Sequence, residues 1–185
     1  MKRRRPAGRM NSGEMFEKAA AALTLPVTGT VWQDLVSSLG HALNVDWTLL
    51  VELPPGGDSA AHTLAAWHQG KIVPNFEYPF ERVPEDDAMS SETCLYASAA
   101  QTYLRNSWLK EVKAEAFGRA SLFDSLGRLR GILVIAHSQP LQDSGRIEVV
   151  LRVFAFKAAT ELERALADEH LYHELLEDTQ KSRPR

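Results

Sequence analysis

The residues best suited to bind a small molecule are aromatic side chains concentrated in the middle of the chain. Six of them fall within 33 positions and two more follow on the next predicted strand: Phe76, Tyr78, Phe80, Tyr96, Tyr103 and Trp108, then Phe117 and Phe123. Rings of this kind line concave, mostly apolar ligand pockets, but they also close the core of an ordinary sheet. The pattern leaves both interpretations open.

One arginine stands out beside these rings. Side chains two positions apart share a face of a strand, so Arg119 and Ser121 are expected next to Phe117. Because buried charges are normally paired, Arg119 should meet either an acidic side chain of the chain or an anionic ligand. We predict that the ligand-binding residues are Tyr78, Tyr96, Trp108 and Arg119. On this hypothesis Arg119→Ala weakens binding of an anionic ligand by about 1.5–3 kcal/mol.

Catalytic and metal-binding motifs are missing from the sequence. Nothing matches a G-x-S-x-G elbow, a P-loop or a His-rich metal motif. The single Cys94 excludes an intramolecular disulfide and a zinc site built from several thiolates, and it is expected to be buried and inert. We therefore predict no catalytic residue and no metal ligand, with a redox or hydrolytic enzyme as the less favoured alternative.

Charge and hydropathy argue against two classes of partner. Five of the 21 basic residues lie in residues 1–9, which leaves 16 basic and 24 acidic residues, a net charge of −8, over residues 10–185. Such an acidic body repels the phosphates of nucleic acids. No apolar run approaches the roughly 18 residues of a membrane span, and the basic start lacks the apolar segment of a signal peptide. We expect a cytoplasmic protein with neither a nucleic-acid nor a membrane partner.

The elements that position the candidate residues follow from hydrophobic periodicity. A capping box at Thr30 and Gln33 begins a helix that continues to Leu43. A period of two then predicts strands over Trp47–Leu53, His62–His68, Ala116–Phe123 and Gly131–His137, with a further strand starting at Ile72. A long helix is predicted from about Ser144 to Gln180.

The segment between these strands, residues 74–113, is expected to be a long irregular crossover with short helical pieces. Such a segment inside a compact domain is typical of a binding or lid region. The order of the elements predicts an α+β fold. It consists of an antiparallel sheet with the terminal helices packed on one face and the crossover on the other.

Four segments of the sequence resemble the GAF domain, a small-molecule sensory module of bacterial signalling proteins. In order they are LNVDWTLLVEL (Leu43–Leu53), TLAAWHQGKIVPNFEYPF (Thr63–Phe80), LFDSLGRLRGILVIAHSQPLQD (Leu122–Asp143) and VFAFKAATELERA (Val153–Ala165). The resemblance covers residues 28–166 and implies a GAF/PAS-like fold. It implies a regulatory module that binds a small molecule and acts on a signalling partner protein, but it names no ligand or cofactor. A ligand-free dimerisation scaffold of the same fold is the alternative.

We divide the chain into a disordered basic tail (1–11), a GAF-like domain (12–166) and a C-terminal helix extension with a polar tail (167–185). Alternating steps of four and three along the last helix connect Leu151, Ala155, Ala158, Leu162 and Ala165. This heptad spacing predicts a parallel homodimer through these residues, which Leu162→Glu would separate. The alternative is a helix packed only on its own sheet, because periods of 3.5 and 3.6 are hard to separate over four turns.

Overall fold

The computed structural model describes residues 31–53, 61–79, 93–103 and 106–181, with side chains up to Asp168. The predicted basic tail, residues 1–11, lies outside these residues. The elements are α1 (Val31–Leu43), β1 (Trp47–Glu52), β2 (Ala61–His68), β3 (Lys71–Val73), β4 (Glu77–Tyr78), β5 (Thr93–Tyr96), α2 (Ala100–Tyr103), α3 (Ser107–Glu111), β6 (Ala116–Phe123), β7 (Leu129–His137) and α4 (Ser144–Lys181).

The described strands form one antiparallel sheet. Its order is β3-β2-β1-β7-β6-β5, and β4 pairs with the beginning of β2. Strand β1 lies between β2 and β7, so that Trp47 is opposite both His68 and Ala136. The turn from β2 to β3 uses Gln69 and Gly70 at φ values of 44° and 93°. Positive φ at both positions is the geometry that joins two strands in a tight hairpin.

A hydrophobic core lies on each face of the sheet. On one face α1 and α4 cover Leu50, Leu133 and Ile135. On the other face the segments between β3 and β6 cover Leu49, Val134 and Phe117. Because side chains alternate along each strand, every central strand contributes to both cores. The predicted α+β arrangement, with helices on one face and the crossover on the other, is confirmed.

The crossover is more regular than the sequence indicates. It contains the two-residue strand β4, and its strand β5 pairs with β6 and places Tyr96 opposite Phe117. Strands of two to four residues carry too little alternation to be recognised locally, since they are stabilised by the neighbour with which they pair. Strand β7 also begins two residues before the predicted Gly131.

The long helix α4 packs against its own sheet with the face that we predicted to form the dimer contact. Four of the five residues predicted for that contact are buried within a single chain, in the core that α1 and α4 form with the sheet: Leu151, Ala155, Ala158 and Leu162. The fifth, Ala165, is exposed. The burial leaves the four without surface for a second copy, because period 3.6 brings the same positions onto the sheet.

Candidate functional site

The predicted ligand-binding residues lie on the crossover face of the sheet or against it. In the register of β6, Arg119 is opposite Cys94 on β5 and Val134 on β7. One row further along, Phe117 is opposite Tyr96. Cross-strand partners point to the same face, so Cys94, Tyr96, Phe117 and Arg119 share the face that the crossover covers.

Arg119 is buried, with 7% of its surface exposed. Its Nη2 atom makes no hydrogen bond with any group in the described part of the chain. A buried polar nitrogen without a partner is costly, since it has lost its hydration without replacement. No acidic side chain forms an ion pair with Arg119 within the described residues, so the pairing with an aspartate or glutamate that we weighed for it is not seen there.

Tyr78 lies within electrostatic reach of this guanidinium. Burial raises the pKa of Tyr78, while the positive charge of Arg119 and a hydrogen bond with Asn106 partly oppose that shift. The phenol is therefore neutral at physiological pH. Its ring meets Trp108 edge to face, with centroids 5.7 Å apart.

Asn106 is a residue of this cluster that sequence reasoning missed. Its Oδ1 accepts a hydrogen bond from the Leu109 amide at 3.3 Å and so caps α3. Its Nδ2 donates to the hydroxyl of Tyr78 at 3.3 Å and to the carbonyl of Pro79 at 3.0 Å. Asn directly before a short helix is a capping signal, and that signal could have identified it.

Tyr96 and Cys94 form the edge of the cluster on β5. Both are half-buried, so Cys94 is more accessible than the buried thiol that we expected. Burial and the neighbouring Cys94 raise the pKa of Tyr96, and the charge of Arg119 opposes them. Arg119 thus lies within electrostatic reach of both tyrosines. We call Tyr78, Tyr96, Arg119 and Asn106 the arginine cluster.

Trp108 joins the arginine cluster to an open cleft of about 780 Å³ at one end of the sheet. Of the four predicted residues, Trp108 alone lines this cleft. We call it the aromatic cleft; its described lining comprises Trp47, His68, Phe76, Glu77, Pro79, Ser107, Trp108, Glu111 and Val112. The structure thus joins Tyr78 to Trp108 by a ring contact and brings Arg119 within electrostatic reach of both tyrosines. No cleft described in the placed part of the chain is lined by all four residues.

Asp46 fixes the backbone that carries one wall of the aromatic cleft. It accepts hydrogen bonds from Gln69 Nε2 at 3.0 Å and from the Ser138 amide at 2.8 Å, and His137 Nδ1 lies 3.0 Å from its Oδ2. Burial alone would raise the pKa of Asp46, but its hydrogen bonds and His137 lower that pKa below its usual value. A charged Asp46 therefore ties the segments beside Trp47 and His68 together.

The Asp124 turn connects the sheet to α4. Oδ1 of Asp124 accepts hydrogen bonds from the amides of Leu126 and Arg128 at 3.0 and 2.9 Å, and Oδ2 contacts Arg128 Nε and Arg130 Nε at 2.7 and 2.9 Å. The next residue, Ser125, donates to Glu163 on α4. The tip of the β6–β7 hairpin is thereby hydrogen-bonded to the helix.

The described residues contain neither a clustered set of metal-ligating side chains nor a membrane-spanning helix. No group of three or more His, Cys, Asp or Glu side chains there is arranged to hold a metal ion. Among the described helices, none combines the length and the apolar character that crossing a membrane requires.

No protein-family model matches the sequence, and no curated protein matches it either. Solved structures do match. A bacteriophytochrome from the photosynthetic bacterium R. palustris superposes with a TM-score of 0.67 at 12% identity, over 92% of this chain and 42% of that chain. The chromophore-binding domain of a Stigmatella aurantiaca bacteriophytochrome gives 0.60 at 10% identity, over 80% of this chain and 59% of that chain.

A domain of a putative two-component sensor histidine kinase from Sinorhizobium meliloti superposes with a TM-score of 0.56 at 16% identity, over 80% of this chain and 99% of that domain. Bacteriophytochrome chromophore-binding domains contain a GAF domain. The antiparallel sheet and C-terminal helix of this chain match these neighbours. At such identities the likeness establishes the fold, and this chain spans less than half of the R. palustris protein.

Proposed function

We propose that this chain is a GAF-like regulatory domain that senses a small anionic molecule at the arginine cluster and does not itself catalyse a reaction. The observation that carries the proposal is the guanidinium of Arg119, which is buried within electrostatic reach of Tyr78 and Tyr96 and has Nη2 unpartnered in the described residues. A carboxylate or phosphate would supply the missing acceptor and the opposite charge. The neutral hydroxyl of Tyr78 is a second polar group for the same ligand.

The fold neighbours support a signalling role. They include bacteriophytochromes and a domain of a two-component sensor histidine kinase. Binding at Arg119 would alter β6, whose last residue precedes the Asp124 turn, and that turn is bonded to Glu163. The output of the domain would therefore travel along α4.

We place the partner surface on the solvent face of α4. Val149, Val153 and Phe156 follow steps of four and three, and Phe156 is 78% exposed. Such a stripe suits a second copy of the helix or a helical partner protein. We therefore still propose a homodimer, but with this exposed stripe as its contact surface instead of the residues predicted from the sequence, four of which are buried.

The proposal is tested by native mass spectrometry of freshly purified protein, followed by thermal shift with a panel of aromatic carboxylates and nucleotides. We expect at least one anion to bind, with affinity about ten- to a hundredfold lower in Arg119→Met, as loss of a charge-assisted hydrogen bond implies. Arg164→Met, at an exposed position of α4, is the matched control. If no anion binds the unmodified protein, the ligand-free dimerisation scaffold replaces the sensor.

A further inference from the structure

The aromatic cleft differs in chemistry from the arginine cluster. Three rings form its walls: Trp47 at the start of β1, Phe76 before β4, and Trp108 in α3. The centroids of Trp47 and Trp108 are 5.6 Å apart at 81°, and those of Phe76 and Trp108 are 6.3 Å apart at 26°. These three rings come from separate segments and meet around one space.

The wall formed by Trp47 is rigidly supported. His68 stacks on Trp47 with centroids 3.9 Å apart and planes inclined by 14°. Asp46, which precedes Trp47, and Gln69, which follows His68, are joined by a hydrogen bond. A wall held in place before binding reduces the entropy that a ligand must overcome.

The charged side chains in the described lining of the cleft are both acidic. Glu77 and Glu111 line it, and its described lining includes neither lysine nor arginine. Both carboxylates are exposed, and neither forms an ion pair with a described residue. An anion entering here would meet two like charges.

We propose that the aromatic cleft is a binding site for a small organic cation of the ammonium class. The faces of indole and phenyl rings attract such a cation when it lies within about 6 Å of the ring centroid. Glu77 and Glu111 add the neutralising charge at the rim. The cleft volume of about 780 Å³ falls in the range of roughly 300–1,000 Å³ that small-molecule sites occupy.

An inorganic cation fits the same cleft poorly. Hard metal ions require several oxygen ligands at once, whereas the charged and aromatic groups of the described lining are two carboxylates, three large rings and one imidazole. The described residues contain no cluster of three or more metal-ligating side chains. Ring faces favour instead a large, weakly hydrated charge such as a quaternary ammonium group.

The test compares choline and benzyltrimethylammonium with 3,3-dimethylbutan-1-ol, which has the shape of choline without its charge. Binding to the purified full chain is followed by tryptophan fluorescence and by calorimetry, up to about 20 mM, in the range of weak affinities. We expect saturable binding of at least one ammonium probe, at least about fivefold tighter than the uncharged compound.

Variants identify the groups responsible. Glu77→Gln and Glu111→Gln should each weaken binding of the ammonium probe about threefold or more and leave the uncharged compound unaffected, while Glu148→Gln on α4 serves as control. Trp47→Leu should reduce binding of the cation, with its melting temperature measured to establish that it folds. Equal binding of choline and its uncharged analogue, no effect of either Gln variant, or no saturable ammonium binding would overturn the proposal.

The proposal for the aromatic cleft and the proposal for the arginine cluster can be tested independently. Arg119→Met should leave binding of the ammonium probe unchanged, because the guanidinium does not line the cleft. Loss of cation binding in Arg119→Met with the melting temperature intact would contradict a separate site.

Discussion

Glu163, on the helix α4, accepts hydrogen bonds from both the backbone amide and the hydroxyl of Ser125 in the turn between β6 and β7. The amide lies 3.2 Å from each carboxylate oxygen, and the hydroxyl bonds to Oε1. The two residues are 38 positions apart in the chain. One carboxylate therefore joins the tip of the hairpin to the helix that we propose as the output element.

Removing that carboxylate should loosen the hairpin from the helix. We expect Glu163→Gln to lower the free energy of unfolding by about 0.5–1 kcal/mol, a small value because the pair is near solvent. Urea denaturation measures it, with Glu161→Gln as the neighbouring control. Hydrogen exchange should speed up at the Ser125 amide in Glu163→Gln alone; unchanged exchange there would contradict the coupling.

The Asp124 turn should make stability depend on pH in the acid range. Burial alone would raise the pKa of Asp124, but hydrogen bonds from the Arg128 amide, the Arg130 and Arg128 guanidinium groups and the Leu126 amide lower it well below its usual value. The folded pKa then lies below the unfolded value of about 3.9. The stabilisation is present in full above that value and is lost as the pH falls through the folded pKa.

Asp124→Asn should accordingly be less stable than the unmodified protein at pH 7. The difference should narrow steadily below about pH 4, where the unfolded carboxyl becomes protonated. Denaturant unfolding of both proteins across this range gives the answer. If the difference in stability did not change with pH, the charge of Asp124 would not be its source and the prediction would be wrong.

Replacing Gly131 should lower the stability of the protein, because a side chain there would collide with the backbone of the neighbouring strand. A Cβ at this position would lie 2.5 Å from the carbonyl oxygen of Val51 on the paired strand β1. Because a backbone oxygen in the middle of a sheet cannot move aside, we expect Gly131→Ala to cost about 1–3 kcal/mol of stability. In Gly145→Ala the added Cβ meets nothing within 4 Å, so its stability should be unchanged or slightly raised. Similar values for the two variants would refute this explanation.

Variants at Leu162 and Phe156 test two different properties of α4, its contribution to folding and its contribution to association. Leu162 is 3% exposed and Phe156 is 78% exposed. We expect Leu162→Ala to destabilise the domain by about 2–5 kcal/mol, whereas Phe156→Ser should change its stability by no more than about 0.5 kcal/mol. If α4 mediates a homodimer, sedimentation should show that Phe156→Ser weakens it. A dimer unaffected by Phe156→Ser would move the interface elsewhere.

The sequence by itself determined the elements whose signals are local. The helix α1, the strands β1, β2 and β6 and the long helix α4 follow from hydrophobic periods of 3.6 and 2. Gly70 and Gly127 indicate turns, because glycine readily adopts the positive φ that both residues have in the structure. These signals involve neighbours along the chain, so no knowledge of the fold is required to interpret them. The presence of Arg119 on a face with Phe117 was also accessible, since it depends only on alternation along one strand.

The tertiary structure decided what depends on contacts between distant segments. Strands β4 and β5 are too short to be specified locally and exist through their pairing with β2 and β6. Which apolar positions of α4 face the sheet could not be read from a spacing that suits both a coiled coil and a packed helix. The aromatic cleft draws its walls from β1, from the segment before β4 and from α3. Only the folding of the crossover over the sheet brings these three together.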